Sequence, residues 1–135
     1  MSTLQDLIRF GIMLAEDGSY EGKQILQEES LWLFEENQLE PGMRDFCWDH
    51  GGRPVAYGAG CPTHDPSMNQ QWRIGKHTLY HEGAGACMLM VNRKERLAAV
   101  WDVPFWTENS WYAEPLRDTA AIIWEHTARS MAPSN

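Results

Sequence analysis

Ala86-Cys87-Met88-Leu89-Met90-Val91, the polar link Asn92-Arg93-Lys94-Glu95-Arg96, and Leu97-Ala98-Ala99-Val100-Trp101 form the stretch that decides the fold. Two short apolar runs joined by a polar link are the pattern of an antiparallel hairpin. The second run alternates little between apolar and polar residues, so both of its faces are expected to be covered. Its preceding link carries Arg93, Lys94 and Arg96 interrupted by Glu95, and reads as a solvated turn.

Working outward, Trp72 to Tyr80 has strand character and would add a third strand. Downstream, Val103 to Trp111 is aromatic and loop-like, and a final helix is expected from near Pro115 through Leu116, Ala120, Ile123, Trp124 and Thr127. At the other end, Leu4, Leu7, Ile8, Gly11, Ile12 and Ala15 recur at helical spacing, with Thr3 and Asp6 placed as a capping pair and Asp17-Gly18 as the stop. A turn-rich link leads to Ile25-Leu26, and a second helix follows from Gln27-Glu28-Glu29-Ser30 through Phe34. From Asn37 to Gln71 periodicity is lost among Gly and Pro, with short strands expected at Phe46-Cys47-Trp48 and Val55-Ala56-Tyr57. The order is helix, helix, long loop, three strands, helix. That is an α+β fold with an antiparallel sheet packed against helices, in one domain spanning residues 1–135.

Composition narrows the function classes. Eleven basic against nineteen acidic side chains give a net charge of -8, with no basic stripe that could track a phosphate backbone. Nucleic acid is therefore not an expected partner. No run of about eighteen apolar residues exists to span a membrane, and no basic leader precedes an apolar segment, so the cytoplasm is the expected compartment. Cys47, Cys61 and Cys87 are too few for a secreted disulfide framework.

The residues with chemical character lie at Tyr80-His81-Glu82-Gly83-Ala84-Gly85-Ala86, where a His enters a strand beside small residues that let another group approach the backbone. With Ser2 to Leu14 read as a helix ahead of the phrase GSYEGKQIL at Gly18 to Leu26, the chain resembles the C-terminal portion of the penicillin-recognising serine hydrolases. These are the class C β-lactamases, DD-peptidases and esterase-like relatives. His81-Glu82-Gly83 falls where that family carries Lys-Thr-Gly or His-x-Gly. The resemblance implies a partial β-lactamase/transpeptidase-like fold and a small-molecule ester, amide or lactam as ligand. It also implies roles at the catalytic positions. His81 would orient substrate and tune protons, Glu82 stands where a hydroxyl residue is usual, Gly83 keeps the strand edge open, and Ala84 supplies an oxyanion N–H.

Two family elements are missing. No Ser is followed three positions later by Lys, and no Tyr is followed two positions later by Asn. Without a nucleophile the site can position a substrate and no more. The expectation is a catalytically incomplete serine hydrolase fragment, with a non-catalytic binding module or a zinc-stabilised domain as alternatives. No cofactor and no bound metal are expected. Zinc would use Cys47-x-x-His50 and Cys61-x-x-His64, two hooks that offer a tetrahedral S2N2 set but lie in the least regular part of the chain. A Cys–His catalytic pair at Cys87 or Cys47 is the remaining chemistry, opposed by the burial expected of a strand Cys. Trp101, Phe105, Trp106, Trp111 and Tyr112 are read as closing the core more readily than as lining a cleft.

The resembled family flanks the last C-terminal strand with two N-terminal strands. Leu97 to Trp101 is therefore expected to expose a hydrogen-bonding edge, and Leu7, Ile12, Leu31 and Phe34 to face solvent unless a partner covers them. A homodimer, or a complex with a separately encoded N-terminal partner, is the expected remedy. The alternative is that Asn37 to Gln71 folds back over the edge.

Overall fold

The computed structural model describes residues 3–45, 52–68, 70–83, 87–102 and 113–130. Helix α1 spans Leu4–Ala15 and opens on the expected capping box: Thr3 Oγ1 accepts from the Asp6 N–H at 3.1 Å, and the Asp6 carboxylate accepts from the Thr3 N–H at 3.2 Å. Strands β1 (Ser19–Tyr20) and β2 (Lys23–Gln24) then form a hairpin closed by two positive-φ residues, Glu21 and Gly22, as the twist of a two-residue turn demands. Helix α2 covers Glu28–Glu35.

The long aperiodic segment is more structured than its composition suggests. It forms β3 (Arg44–Asp45) and β4 (Arg53–Pro54), which pair with each other, and then β5 (Ala56–Tyr57) and β6 (Pro62–Thr63). The expected strand at Phe46-Cys47-Trp48 lies outside the described residues. β7 is Leu79–Glu82, β8 is Cys87–Asn92, β9 is Leu97–Asp102, and α3 is Ala113–Ser130. Thus the strand expected over Trp72 to Tyr80 begins only at Leu79. Among the described residues the main sheet has five strands in the order β5-β6-β7-β8-β9, antiparallel throughout; β5 is the short strand expected at Val55-Ala56-Tyr57, and β6 was not expected.

Side-chain alternation along this sheet creates two apolar layers. On one face Leu79 and Val91, with Leu89 and Ala98 beside them, pack against Met13, Leu14 and Ala15 of α1 and Leu31 of α2. On the other face Tyr80, Met88 and Met90, with Leu97, Ala99 and Trp101 beside them, pack against Leu116 and Ala120 of α3. The architecture is a sheet between helical layers, and the α+β reading of the sequence is met. No helix among the described residues is long and apolar enough to cross a membrane.

Gly11 marks where α1 meets the sheet most closely, since a Cβ there would lie 3.0 Å from Leu89 Cδ1 and 3.3 Å from Ala98 Cβ. Leu31 is 1% exposed, which overturns its expected solvent position: α2 packs inward beside α1. Ile12 is exposed, while Leu7 and Phe34 are half-buried. Among the described residues β8 is the sole strand partner of β9, so the outer edge of β9 carries no ladder. Among the described residues of the Asn37 to Gln71 segment, β5 and β6 extend the sheet at the opposite margin and none pairs with β9.

The β5–β6 turn is held to α2 by backbone contacts that leave no room for a side chain. Ala59 N–H donates to Leu33 O at 2.8 Å, and a Cβ on Gly58 would sit 1.8 Å from Phe34 O. Gly58→Ala is expected to destabilise the protein by about 3 kcal/mol, because rigid backbone must move to admit the methyl group. Gly22→Ala, which meets no atom within 4 Å but sits at φ 75°, is expected to cost about 1 kcal/mol from backbone strain alone. Urea denaturation of the two variants checks the ordering.

Candidate functional site

The fold places His81 on β7 two residues after Leu79, and strand alternation turns both side chains toward the α1 face. His81 is exposed there, while Glu82 follows Tyr80 toward the α3 face and is half-buried. Gly83 closes the strand: its N–H donates to Cys87 O at 2.9 Å, and a Cβ added to it would lie 2.5 Å from Cys87 Sγ. Glycine at this position therefore admits the Cys87 thiol against the backbone of the motif. Ala84, the expected oxyanion donor, lies outside the described residues.

Beside this strand end is a cavity of about 340 Å³ on the α1 face. α1 contributes Leu7, Phe10 and Leu14, and Phe34 closes the α2 side. His81, Gly83, Cys61 and Cys87 share its wall. Phe10 is 45% exposed, so the cavity reaches the molecular surface. The structure thus gathers two of the expected site residues, His81 and Gly83, with the Cys87 thiol that follows the motif in sequence and the Cys61 thiol, which the sequence did not place near them. Burial pushes the Cys61 thiol up to about 11, which keeps it protonated and poorly nucleophilic at neutral pH.

None of Ser19, Ser30 and Ser67 lines this cavity. Ser19 donates to Gln24 Oε1 within the β1–β2 hairpin, and Ser67 donates to Asp65 Oδ1 at 2.6 Å. Those Ser67 hydrogen bonds hold the Asp65 carboxyl below the usual carboxylate range. The Ser19 and Ser67 hydroxyls are thus committed to turns, and Ser30 lies on α2.

The suggested metal hooks are divided. Cys47 and His50 lie outside the described residues, and Cys61 belongs to the apolar cavity, whose wall does not include His64. Among the described residues no group of three or more His, Cys, Asp and Glu side chains converges. His64 is 2% exposed, and its Nδ1 is buried without a hydrogen-bond partner. Its backbone instead bridges to the Thr78 carbonyl at 2.8 Å and the His77 N–H at 2.9 Å. Of the aromatic residues expected to close the core, Trp101 does so against the α3 layer. Phe105, Trp106, Trp111 and Tyr112 lie outside the described residues.

A second, polar cleft of about 320 Å³ lies at the β8–β9 turn, between Asp17, Glu35, His77 and Arg93 among others. Arg93 Nε stands 3.1 Å from Glu35 Oε1 and 3.5 Å from Asp17 Oδ1. The Nε contact is an ion pair by distance whose alignment falls short of a hydrogen bond. Burial raises the Glu35 carboxyl, and the Arg93 charge opposes that rise. The turn expected to be wholly solvated therefore tucks one guanidinium inward.

Comparison with known protein families finds no family that matches the chain, and no curated protein matches it.

Burial lowers the His64 pKa below its ordinary 6.5, with the Asp65 charge opposing the shift. The unfolded chain then takes up this proton more readily, so the stability contribution present above 6.5 is lost as pH falls through the folded value. Glu35, raised above 4.5, acts with the opposite sign and withdraws stability as pH rises through its own folded value. Urea midpoints measured from neutral pH down to about pH 5.5 are expected to fall, and the slope to flatten in His64→Gln.

Proposed function

We propose that this chain supplies the sheet and C-terminal helix of a serine hydrolase similar to the β-lactamases and DD-peptidases, and that it does not turn over substrate by itself. The observation that carries the reading is the position of His81-Glu82-Gly83 at the end of an internal antiparallel strand, bordered by an apolar cavity that reaches the surface. The order of helix, GSYEGKQIL hairpin, helix, motif strand, hairpin and terminal helix supports a partial β-lactamase/transpeptidase-like fold. In this reading His81 orients the substrate, Gly83 permits close approach, and Ala84 presents an N–H to the developing oxyanion. Such a donor contributes about 3 kcal/mol to the transition state, but only once a nucleophile has attacked. Ser-x-x-Lys and Tyr-x-Asn would come from elsewhere.

The lack of a serine among the described residues of the cavity wall favours one second reading, a binding module that holds a ligand without chemistry. An upstream reading frame separates the two: one encoding Ser-x-x-Lys and Tyr-x-Asn supports the hydrolase. For the isolated chain, assays with a chromogenic cephalosporin and a nitrophenyl ester are expected to give no burst and no turnover above buffer. Labelling of a defined Ser by a fluorophosphonate, with burst kinetics, would falsify this.

The same reading assigns a partner to the outer edge of β9, either a second copy or a separately encoded N-terminal segment. Alternation from the Gly83 to Cys87 hydrogen bond directs the backbone of Leu97, Ala99 and Trp101 toward β8, and that of Ala98 and Val100 outward. Val100→Pro would remove an outward N–H without cutting the β8–β9 ladder. Sedimentation is expected to show a dimer that Val100→Pro dissociates with its helical circular dichroism intact. A folded 15.5 kDa monomer for the parent chain would exclude self-pairing and leave the separate segment as the partner.

A further inference from the structure

The α1-face cavity has the volume and wall chemistry of a binding site for a small amphiphile. Its about 340 Å³ is roughly twice the ~150 Å³ of an apolar cavity that takes up one benzene, which suits a two-ring aromatic or an alkyl chain of about eight carbons. Leu7, Leu14, Phe34, Leu89 and Val91 offer no hydrogen bonds, and an ordered water needs roughly two to four polar partners. The Cys61 thiol, protonated at neutral pH, behaves in this wall as a small apolar group. His81 is the strong hydrogen-bonding side chain on the wall, and it is exposed. Access is available beside Phe10, whose ring is partly in solvent.

We propose that this cavity binds the alkyl or aryl group of a small amphiphile, with the ligand's single polar group at His81. Burying such a chain removes both its own surface and the cavity wall from water, which provides the driving force. His81 then sets the orientation, since a polar head has no other strong partner among the described side chains of the wall. On the hydrolase reading, and in this clause alone resting on it, the bound group is the apolar acyl portion of an ester or amide whose carbonyl lies near His81 and Gly83.

The probe is 1-octanol, which has the required chain and polar head but no bond to hydrolyse, titrated into the full chain and followed by calorimetry and methyl NMR. Saturable binding is expected, with shifts at Leu14, Leu89 and Val91, and ethanol is expected to produce neither. At saturation, iodoacetamide modification of Cys87 is expected to slow by about tenfold, because a filled cavity excludes the reagent from its wall. Leu7→Trp, which puts a bulky ring into the cavity, is expected to weaken binding by about tenfold or more, whereas Ile122→Ala on the exposed side of α3 leaves it unchanged. Linear, unsaturable partitioning overturns the proposal, as does saturable binding that leaves Cys87 modification unaffected. If Leu7→Trp does not fold, thiol protection in the parent chain decides the matter. Loss of octanol binding would remove the cavity site and leave the hydrolase reading standing. Octanol binding in a chain whose upstream frame lacks a nucleophile would do the reverse.

Discussion

The side chains of β8 alternate between two apolar layers, Leu89 and Val91 toward α1 and Met88 and Met90 toward α3. Met88, Met90 and Val91 are almost wholly removed from water. Burial of one such side chain is worth about 1.5–3 kcal/mol, so three of them rival the roughly 5–15 kcal/mol net stability of an ordinary domain. Neither helix can leave without exposing part of that surface. The first and last helices of the chain must therefore dock together on opposite faces of one strand, and this requirement fixes the layered arrangement. Gly11 marks the closest approach of α1 to the sheet, and a methyl group there would press on Leu89 and Ala98.

The β8–β9 turn connects this core to the polar surface. Arg93 faces Glu35 and Asp17, while Arg96 pairs with Glu16 and Asp17, so one turn ties down the C-terminal ends of both α1 and α2. The raised carboxyl of Glu35 indicates that burial outweighs attraction to Arg93, and the pair is better understood as a positional constraint than as a source of stability. Holding α2 there sets Phe34, and Phe34 O in turn lies where only Gly58 lets the β5–β6 turn approach. The far margin of the sheet is placed through this sequence of contacts.

Much of this was legible where residues are periodic or paired in sequence. The apolar runs on either side of Asn92 to Arg96 gave the β8–β9 hairpin, and Thr3 with Asp6 marked the start of α1. β5 was legible at Val55-Ala56-Tyr57, whereas β6 was obscure because it is two residues long, too short to carry a period, and opens on a Pro. Trp72 to Thr78 misled for a different reason. Its apolar residues Trp72 and Ile74 are placed by packing on the α3 layer, where a strand assignment would have required a ladder. At the site, His81 and Gly83 stood out as a local cluster, but the cavity beside them did not. Its wall joins α1, α2, the β5–β6 turn and two strands, and Leu7, Leu14 and Phe34 have the same helical spacing whether they fill a core or border a void. Arg93 carried no sign of its burial, since its neighbours in sequence are charged and its partners are distant.

The cavity has a geometric origin in the mismatch between one helix and a wide sheet. Neighbouring strands lie about 4.8 Å apart and a helix with its side chains is about 10 Å across, so a single helix covers roughly two strands. α1 is committed to β8 and β9 by its close approach at Gly11. The face of β7 that carries Leu79 and His81 must be covered by something else, and the available pieces are Phe34 of α2 and the turn through Gly60 and Cys61. The other face has the same excess width and meets it with large aromatic side chains. Trp72 packs on Tyr80 with ring centroids 4.3 Å apart and planes tilted by 38°, and Trp124 lies so close to Gly75 that a Cβ there would be 2.2 Å from the indole. Equivalent seams are thus closed on the α3 side by indole rings and left open on the α1 side, where Phe10 and Phe34 are joined by smaller residues such as Leu, Val and Cys and, among the described residues, no Trp enters. That asymmetry places the one histidine of the motif strand beside the face with unfilled apolar space.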